Sequence, residues 1–227
     1  GFKENQDLVN KLKNKTKDDL TLVEVQIVDV YNKVVYFDEV AHSMIPLMPL
    51  IEVKDEVVRE FMGISKDKVS YSFFVRNIEK FRVLLDDLLK TDEKKWNNSH
   101  AELSKIAMDL QNLTQYSYAQ KIKIIPSEDM PLNNQWLSPW EVLNGHVISE
   151  NHKSILAGYE DFFYNYYKEI NSSINNDINY ITNLISSLDT EFKPHLLIKE
   201  TWYNSINIFL KSMIMYLIAF LLIGLSW

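Results

Sequence analysis

The chain has 227 residues, 24 basic against 31 acidic side chains, and no cysteine. A net charge of −7 argues against a nucleic-acid surface, because phosphate binding needs a concentrated positive face. Missing cysteine removes disulfides, thiolate metal sites and cysteine nucleophiles together, and only 5 glycines disfavour an all-β fold with its many tight turns.

The length suits one large domain or two small ones, with a core that is stable without crosslinks. The polar stretch from Asp7 to Lys17 reads as a helix, with Leu8 and Leu12 one turn apart and its lysines on a solvated face. Thr21 to Lys33 follows Asp18-Asp19, an acidic start; its β-branched content leaves strand open, and length favours helix. Pro46 and Pro49 impose extended backbone on Ile45 and Met48, and a short strand is expected between Leu50 and Val53. Asp55 should cap a short helix through Phe61 that Gly63 ends, while Val69 to Phe74 reads as a short extended or turn segment. Ile78 to Lys90 has apolar residues at 78, 81, 84, 85, 88 and 89, a clean helical face.

Ser99 with Glu102 reads as a capping box opening a long helix whose stripe is Leu103, Ile106, Leu110 and Leu113. Pro126 to Glu141 is the least helical part of the chain, and its two tryptophans mark an ordered loop rather than a linker. Ser138-Pro139 starts the next helix, with serine as cap and proline at the first turn. Helices follow at about 149–165 and 171–187, and another from Lys193 or later, opened by Pro194. The expected fold class is therefore mainly α, a multi-helix domain with a few short strands.

No catalytic constellation is visible. His42, His100, His146, His152 and His195 have no partner at metal-ligand spacing, and phosphate-loop and hydrolase motifs are absent. The run Tyr159, Phe162, Phe163, Tyr164, Tyr166, Tyr167 puts Tyr159, Phe163, Tyr166 and Tyr167 on one helical face. That face reads as core packing, or as a surface for a porphyrin or a partner.

The end of the chain changes the picture. After Lys211 no charge appears, and sixteen uncharged residues make about 24 Å of helix against about 30 Å of hydrocarbon. Adding Ile206, Ile208 and Phe209 completes a span, with Lys211 placed to snorkel and Trp202, Tyr203 and Trp227 at the interfaces. A buried core or oligomer-interface helix is the competing reading. The division expected is a domain over 1–203 and the start of a transmembrane region over 204–227, in a chain that reads as a fragment.

Two stretches resemble a known family. Lys123 to Glu141 is similar to the proline-rich "P…P-N-N-x-W-x-S-P" loop of system II cytochrome c biogenesis proteins, in particular the fused CcsA/ResB type found in the Bacteroidetes. Lys199 to Phe209 resembles the family's "K-x-E-x-x-Y-N-x-x-N-I-F" run, which leads directly into a transmembrane helix; Glu200 and Thr201 shift its acidic position. Pro49 to Asp55 and Phe61 to Ser65 resemble an earlier "P-I-I-x-V … L-L-G-I" stretch more weakly, and the first hundred residues match poorly.

The resemblance implies an extracytoplasmic domain of a machine in the bacterial cytoplasmic membrane that exports haem and attaches it to CxxCH motifs of apocytochrome c. The full-length protein would be a cytochrome c haem lyase. The partners implied are apocytochrome c, the rest of the same membrane protein and, through residues 206–227, the lipid bilayer. The family's haem-handling "WWD" segment has no counterpart here, so no haem ligand carries over to any residue of this chain. Asn133, Asn134, Gln135, Trp136 and Trp140 are the expected partner contact, with the aromatics anchoring the exposed amides. The alternative is a membrane-anchored envelope sensor or secretion-system subunit unrelated to haem.

Overall fold

The computed structural model describes residues 6–16, 19–128, 135–145 and 148–188. The expected tail span over 206–227, the helix from Lys193 and the histidines His146 and His195 lie outside them. Among the described residues the protein is mainly helical, and no helix is long and apolar enough to cross a membrane.

Helix α1 (Gln6–Lys13) folds back along α2 (Leu22–Ser43), with Lys13 over the Tyr31 ring and Lys15 paired to Glu24. α2 is 22 residues long, so the alternation of β-branched residues at its start belongs to a helix. Its cap is Thr21 in a reciprocal box with Glu24, not the preceding Asp18-Asp19. The helix stops ahead of Pro46, which sits within a 3-10 turn at Ile45–Leu47. Ile45 is thus part of that turn rather than extended; proline's missing N–H costs nothing so early in a helical turn.

The first sheet pairs β1 (Ile51–Glu52) with β2 (Lys68–Val69), antiparallel, with Ile51 opposite Val69. Between them α3 (Glu56–Met62) opens on the Asp55 side chain and closes on Gly63 at φ 72°, where a Cβ would be strained. The segment after β2 corrects the sequence reading: Tyr71–Arg76 is a helix, α4, capped by Ser70. Helix α5 (Ile78–Lys90) buries Phe81 and Leu88, but Ile78 and Leu89 face solvent. The cap of α6 (Asn98–Thr114) also differs from expectation. Asn97 and His100 form the box, while the Ser99 hydroxyl donates to Asp55 and Glu102 accepts from the Lys54 amide, 44 and 48 residues away.

A second two-stranded sheet pairs β3 (Ile125–Pro126) with β4 (Trp136–Leu137). Helix α7 (Pro139–Leu143) follows, then the long antiparallel pair α8 (Glu150–Tyr167) and α9 (Asn171–Leu188). Their turn places Glu169 at φ 57°, and Ile170 N–H reaches back to the Asn165 carbonyl at 2.9 Å, a Schellman closure made without glycine. Gly158 lets the two helices approach. A Cβ there would meet Ile181 Cγ1 at 2.9 Å and Tyr180 Cδ1 at 3.2 Å.

Two apolar clusters result. One joins β1, β2, α3, α5 and α6 around Val58, Met62, Phe74 and Ile106; the other joins the second sheet, α7, α8 and α9 around Leu47, Ile125, Ile155 and Leu156. α4 belongs to both, since Phe74 enters the first and Tyr71 and Val75 pack on the second. Arg76 at its end makes a two-pronged bond to Glu160 of α8, at 3.0 and 2.7 Å. Beside it β2 is tied to α8 by polar side chains: Lys66 to Asp161, Asp67 to Tyr164 and Lys168, and Lys68 to Tyr167.

Replacing Gly158 by Ala should cost about 1–3 kcal/mol, read as a lower denaturant midpoint, because backbone-fixed α8 must move from Ile181. An unchanged midpoint would show the helices to be less tightly apposed. Asp67 supplies a pH signature. The Lys168 ammonium first, then the Tyr164 hydroxyl, hold its carboxyl at about 2 against an ordinary 3.8. A depressed folded value means stability complete above the unfolded pKa and lost as pH falls from about 4 through about 2. Asp67→Asn should therefore flatten the decline of melting temperature across that window; a slope identical to the parent's would remove Asp67 from the account.

Candidate functional site

Within the stretch Lys123 to Glu141 the strands β3 and β4 pair as an antiparallel hairpin base that is held from three directions. Backbone bonds Ile124 N–H to Leu137 O (3.0 Å) and Ser127 N–H to Gln135 O (2.9 Å) extend the two-residue ladder. The Pro126 carbonyl accepts from His152 Nε2 at 2.9 Å, inside the protein. A carbonyl only accepts, so this contact places the imidazole proton on Nε2. His152 is itself set by its position in the first turn of α8, where its amide bonds the Ser149 hydroxyl. Tyr159, one face further along α8, gives its hydroxyl to the Ile124 carbonyl at 3.3 Å, and burial pushes its pKa up to about 12.

The third hold is Trp140, wholly buried at the start of α7. Its indole N–H donates to the His42 carbonyl at 3.1 Å, and its ring leans on Tyr71 with centroids 5.2 Å apart. The chemistry is local to the end of α2. In a continuing helix the His42 carbonyl would accept from the amide of residue 46, but Pro46 has none. The Met44 amide turns back to this carbonyl, and the tryptophan supplies a second donor in place of the one proline lacks. Ser138 caps α7 in a reciprocal box with Glu141. Burial opposes ionisation of Glu141, yet hydrogen bonds from Ser138 and Lys123 leave its pKa below the usual range.

The sequence-expected contact residues divide accordingly. Gln135 is exposed where the hairpin leaves the ladder, Trp136 is half-buried against the second cluster, and Trp140 is an internal anchor with no surface to offer. Asn133 and Asn134 lie outside the described residues.

The remaining sequence candidates are taken up by structure. His100 caps α6 through Nδ1 and faces Asp87 with Nε2 at 3.1 Å. The His42 ring stacks on Tyr116 with centroids 4.3 Å apart, and its Nδ1 lies 3.2 Å from Asp38 without hydrogen-bond geometry. Among the described residues no group of His, Asp and Glu could hold a metal ion. A cavity of about 490 Å³ between α5 and α6 is lined by residues such as Leu88, Trp96 and Met108. The aromatic run of α8 is split as well: Tyr159, Phe162 and Phe163 pack on the second cluster, whereas Tyr166 and Tyr167 are exposed.

Two polar assemblies had no signal in the sequence. One is the bonding of Lys66, Asp67 and Lys68 to α8. The other is Tyr118 giving its hydroxyl to Asp38 at 2.7 Å, a bond that pushes its pKa up to about 12. Their partners are 80 to 101 residues apart, beyond any local pattern. Comparison with protein-family models, with curated proteins and with solved structures finds no match for this chain.

Trp140→Phe removes the indole donor and leaves the His42 carbonyl with the Met44 amide alone, a loss of about 0.5–1.5 kcal/mol. Trp140→Ala adds a cavity and should cost about 3–5 kcal/mol. Chemical denaturation distinguishes the two, and hydrogen exchange at Ile124 and Ser127 should accelerate in both. Equal stability of the Phe variant and the parent would rule out the indole bond.

Proposed function

We propose that residues 1–203 form an extracytoplasmic helical domain of a membrane-bound system II cytochrome c biogenesis protein, whose Trp136 to Trp140 hairpin region docks apocytochrome c or holds a haem-bearing neighbour during covalent haem attachment. The observation that carries this reading is the pairing, in one chain, of the Lys123 to Glu141 loop with the Tyr203-Asn204 run just ahead of the apolar segment 206–227. The second likeness is the more specific, because it has both the Tyr203-Asn204 pair and the apolar segment at the family's distance from it.

The hairpin's build supports a docking role. The paired strands β3 and β4, clamped by Trp140, His152 and Tyr159, give a partner that contacts them a fixed edge, so more of that contact's energy appears as affinity. Exposed Gln135, adjoining Asn133 and Asn134, supplies amides that hydrogen-bond an extended peptide backbone without demanding a particular side chain. Haem is the cofactor of the full-length protein in this reading, held by ligands outside the residues described above. Residues 206–227 enter the bilayer, and the domain scaffolds the reaction without performing it.

The test uses the full-length protein in its own membrane. It should co-purify with haem, and Asn133→Ala, Asn134→Ala, Gln135→Ala together should lower the yield of covalent cytochrome c at least fivefold while haem content is kept. Normal cytochrome c maturation after deletion of the gene, with no haem in the purified protein, would overturn the reading in favour of an envelope protein unrelated to haem.

A further inference from the structure

Helix α2 is apolar on two faces and covered on one. α1 lies along the side that carries Glu24 and Tyr31. About 110° away around the helix runs a second stripe: Val23, Ile27, Val30, Val34, Phe37 and Ala41. It is bare, with Val23 63%, Val30 59% and Phe37 72% exposed, and Ile27 and Val34 at 39% and 42%. Steps of four and three residues alternate along it, the spacing of a coiled-coil seam, with β-branched Ile27 and Val34 at the positions that favour two strands. A helix hydrophobic on both sides is one built to be covered on both.

We infer that this stripe is the seam of a parallel, in-register homodimer, in which the α1–α2 hairpins of two copies form a four-helix bundle. Charge decides the occupant and the direction. The positions on α2 that flank the seam carry the acids Glu24 and Asp38 against the single Lys33, a poor match for an anionic bilayer surface. Two parallel copies set each stripe residue on its own counterpart and bring Lys33 of one copy to Asp38 of the other, five residues on, where flanking side chains meet. The antiparallel register that layers Val23 on Ala41, Ile27 on Phe37 and Val30 on Val34 sets Lys33 against Lys33 and Glu24 against Asp38. Both of those encounters repel. Lys33 pairs with Asp29 and Asp38 accepts from Tyr118, but at 74% and 48% exposure each side chain still presents a face to a second copy. The apolar seam supplies affinity and the charges choose orientation.

The chain has no cysteine, so each introduced thiol is the only one present. Full-length Val30→Cys and Val34→Cys should each form a disulfide-linked dimer under mild oxidation, while Asn32→Cys, exposed on another face, should not. Val30→Glu with Phe37→Glu should weaken self-association at least tenfold by sedimentation in detergent, with the helical circular dichroism unchanged because both side chains are already in solvent. Cross-linking only in a mixture of Val30→Cys and Val34→Cys would overturn the parallel arrangement. A monomer at tens of micromolar overturns the dimer itself, whether the Val30→Cys thiol is then free, shielded by the chain's own residues 206–227, or protected on adding vesicles of anionic lipid.

Discussion

The bond between Arg76 and Glu160 is the constraint on which the arrangement of the two apolar clusters depends. α4 is 6 residues long, too short to hold a direction by its own hydrogen bonds. Its Phe74 belongs to one cluster and its Tyr71 and Val75 to the other, so a small rotation would unseat side chains on both sides at once. A planar guanidinium meeting a carboxylate at both oxygens allows very little rotation. The pair is mostly withdrawn from water, and its desolvation offsets much of its attraction, so its yield is orientation more than net stability. Lys66, Asp67 and Lys68 repeat the tie along α8 with exposed pairs, each weak alone but all fixing the same strand.

A second dependence runs through the end of α2. Pro46 interrupts the helix and denies the His42 carbonyl its usual helical donor, and the Met44 amide and the Trp140 indole bond it instead. One residue further, the buried Ser43 hydroxyl accepts from the Lys121 and Ile122 amides, just before the hairpin begins. The root of the hairpin and the end of α2 therefore form one rigid unit. Any partner held along the bare stripe of α2 is oriented with respect to the hairpin, since the helix between them carries about 1.5 Å per residue without a break.

Much of the local structure was legible because it is decided within four residues. Asp55 and Gly63 bracket α3 and Ser138-Pro139 opens α7 through a nearby cap, a left-handed glycine or a proline without an amide, while α5 from Ile78 to Lys90 is legible from its apolar spacing alone. The misreadings share a cause. Ser99 and Glu102 have the spacing of a capping box, yet their oxygens serve Asp55 and Lys54, so Asn97 and His100 cap instead. Val69 to Phe74 reads as an extended or turn segment because aromatic and β-branched residues suit a strand, and the Ser70 cap together with burial in two clusters makes Tyr71–Arg76 a helix instead. In the hairpin, proline and tryptophan announced an ordered loop, but nothing local pointed to His152 or Tyr159 as the groups that hold it.

Composition and periodicity by themselves determined that this is a mainly helical, acidic, cysteine-free chain with an apolar end, for those properties belong to residues and their near neighbours. Only the tertiary structure decided which apolar faces are covered. Leu88 and Leu89 are adjacent on the same expected stripe, yet one is buried under α6 and the other stands in water. Tyr159 and Tyr166 divide in the same way on α8, and α2 keeps a whole seam bare. Burial is a property of what a face meets, and what it meets is set by contacts between residues far apart in the chain.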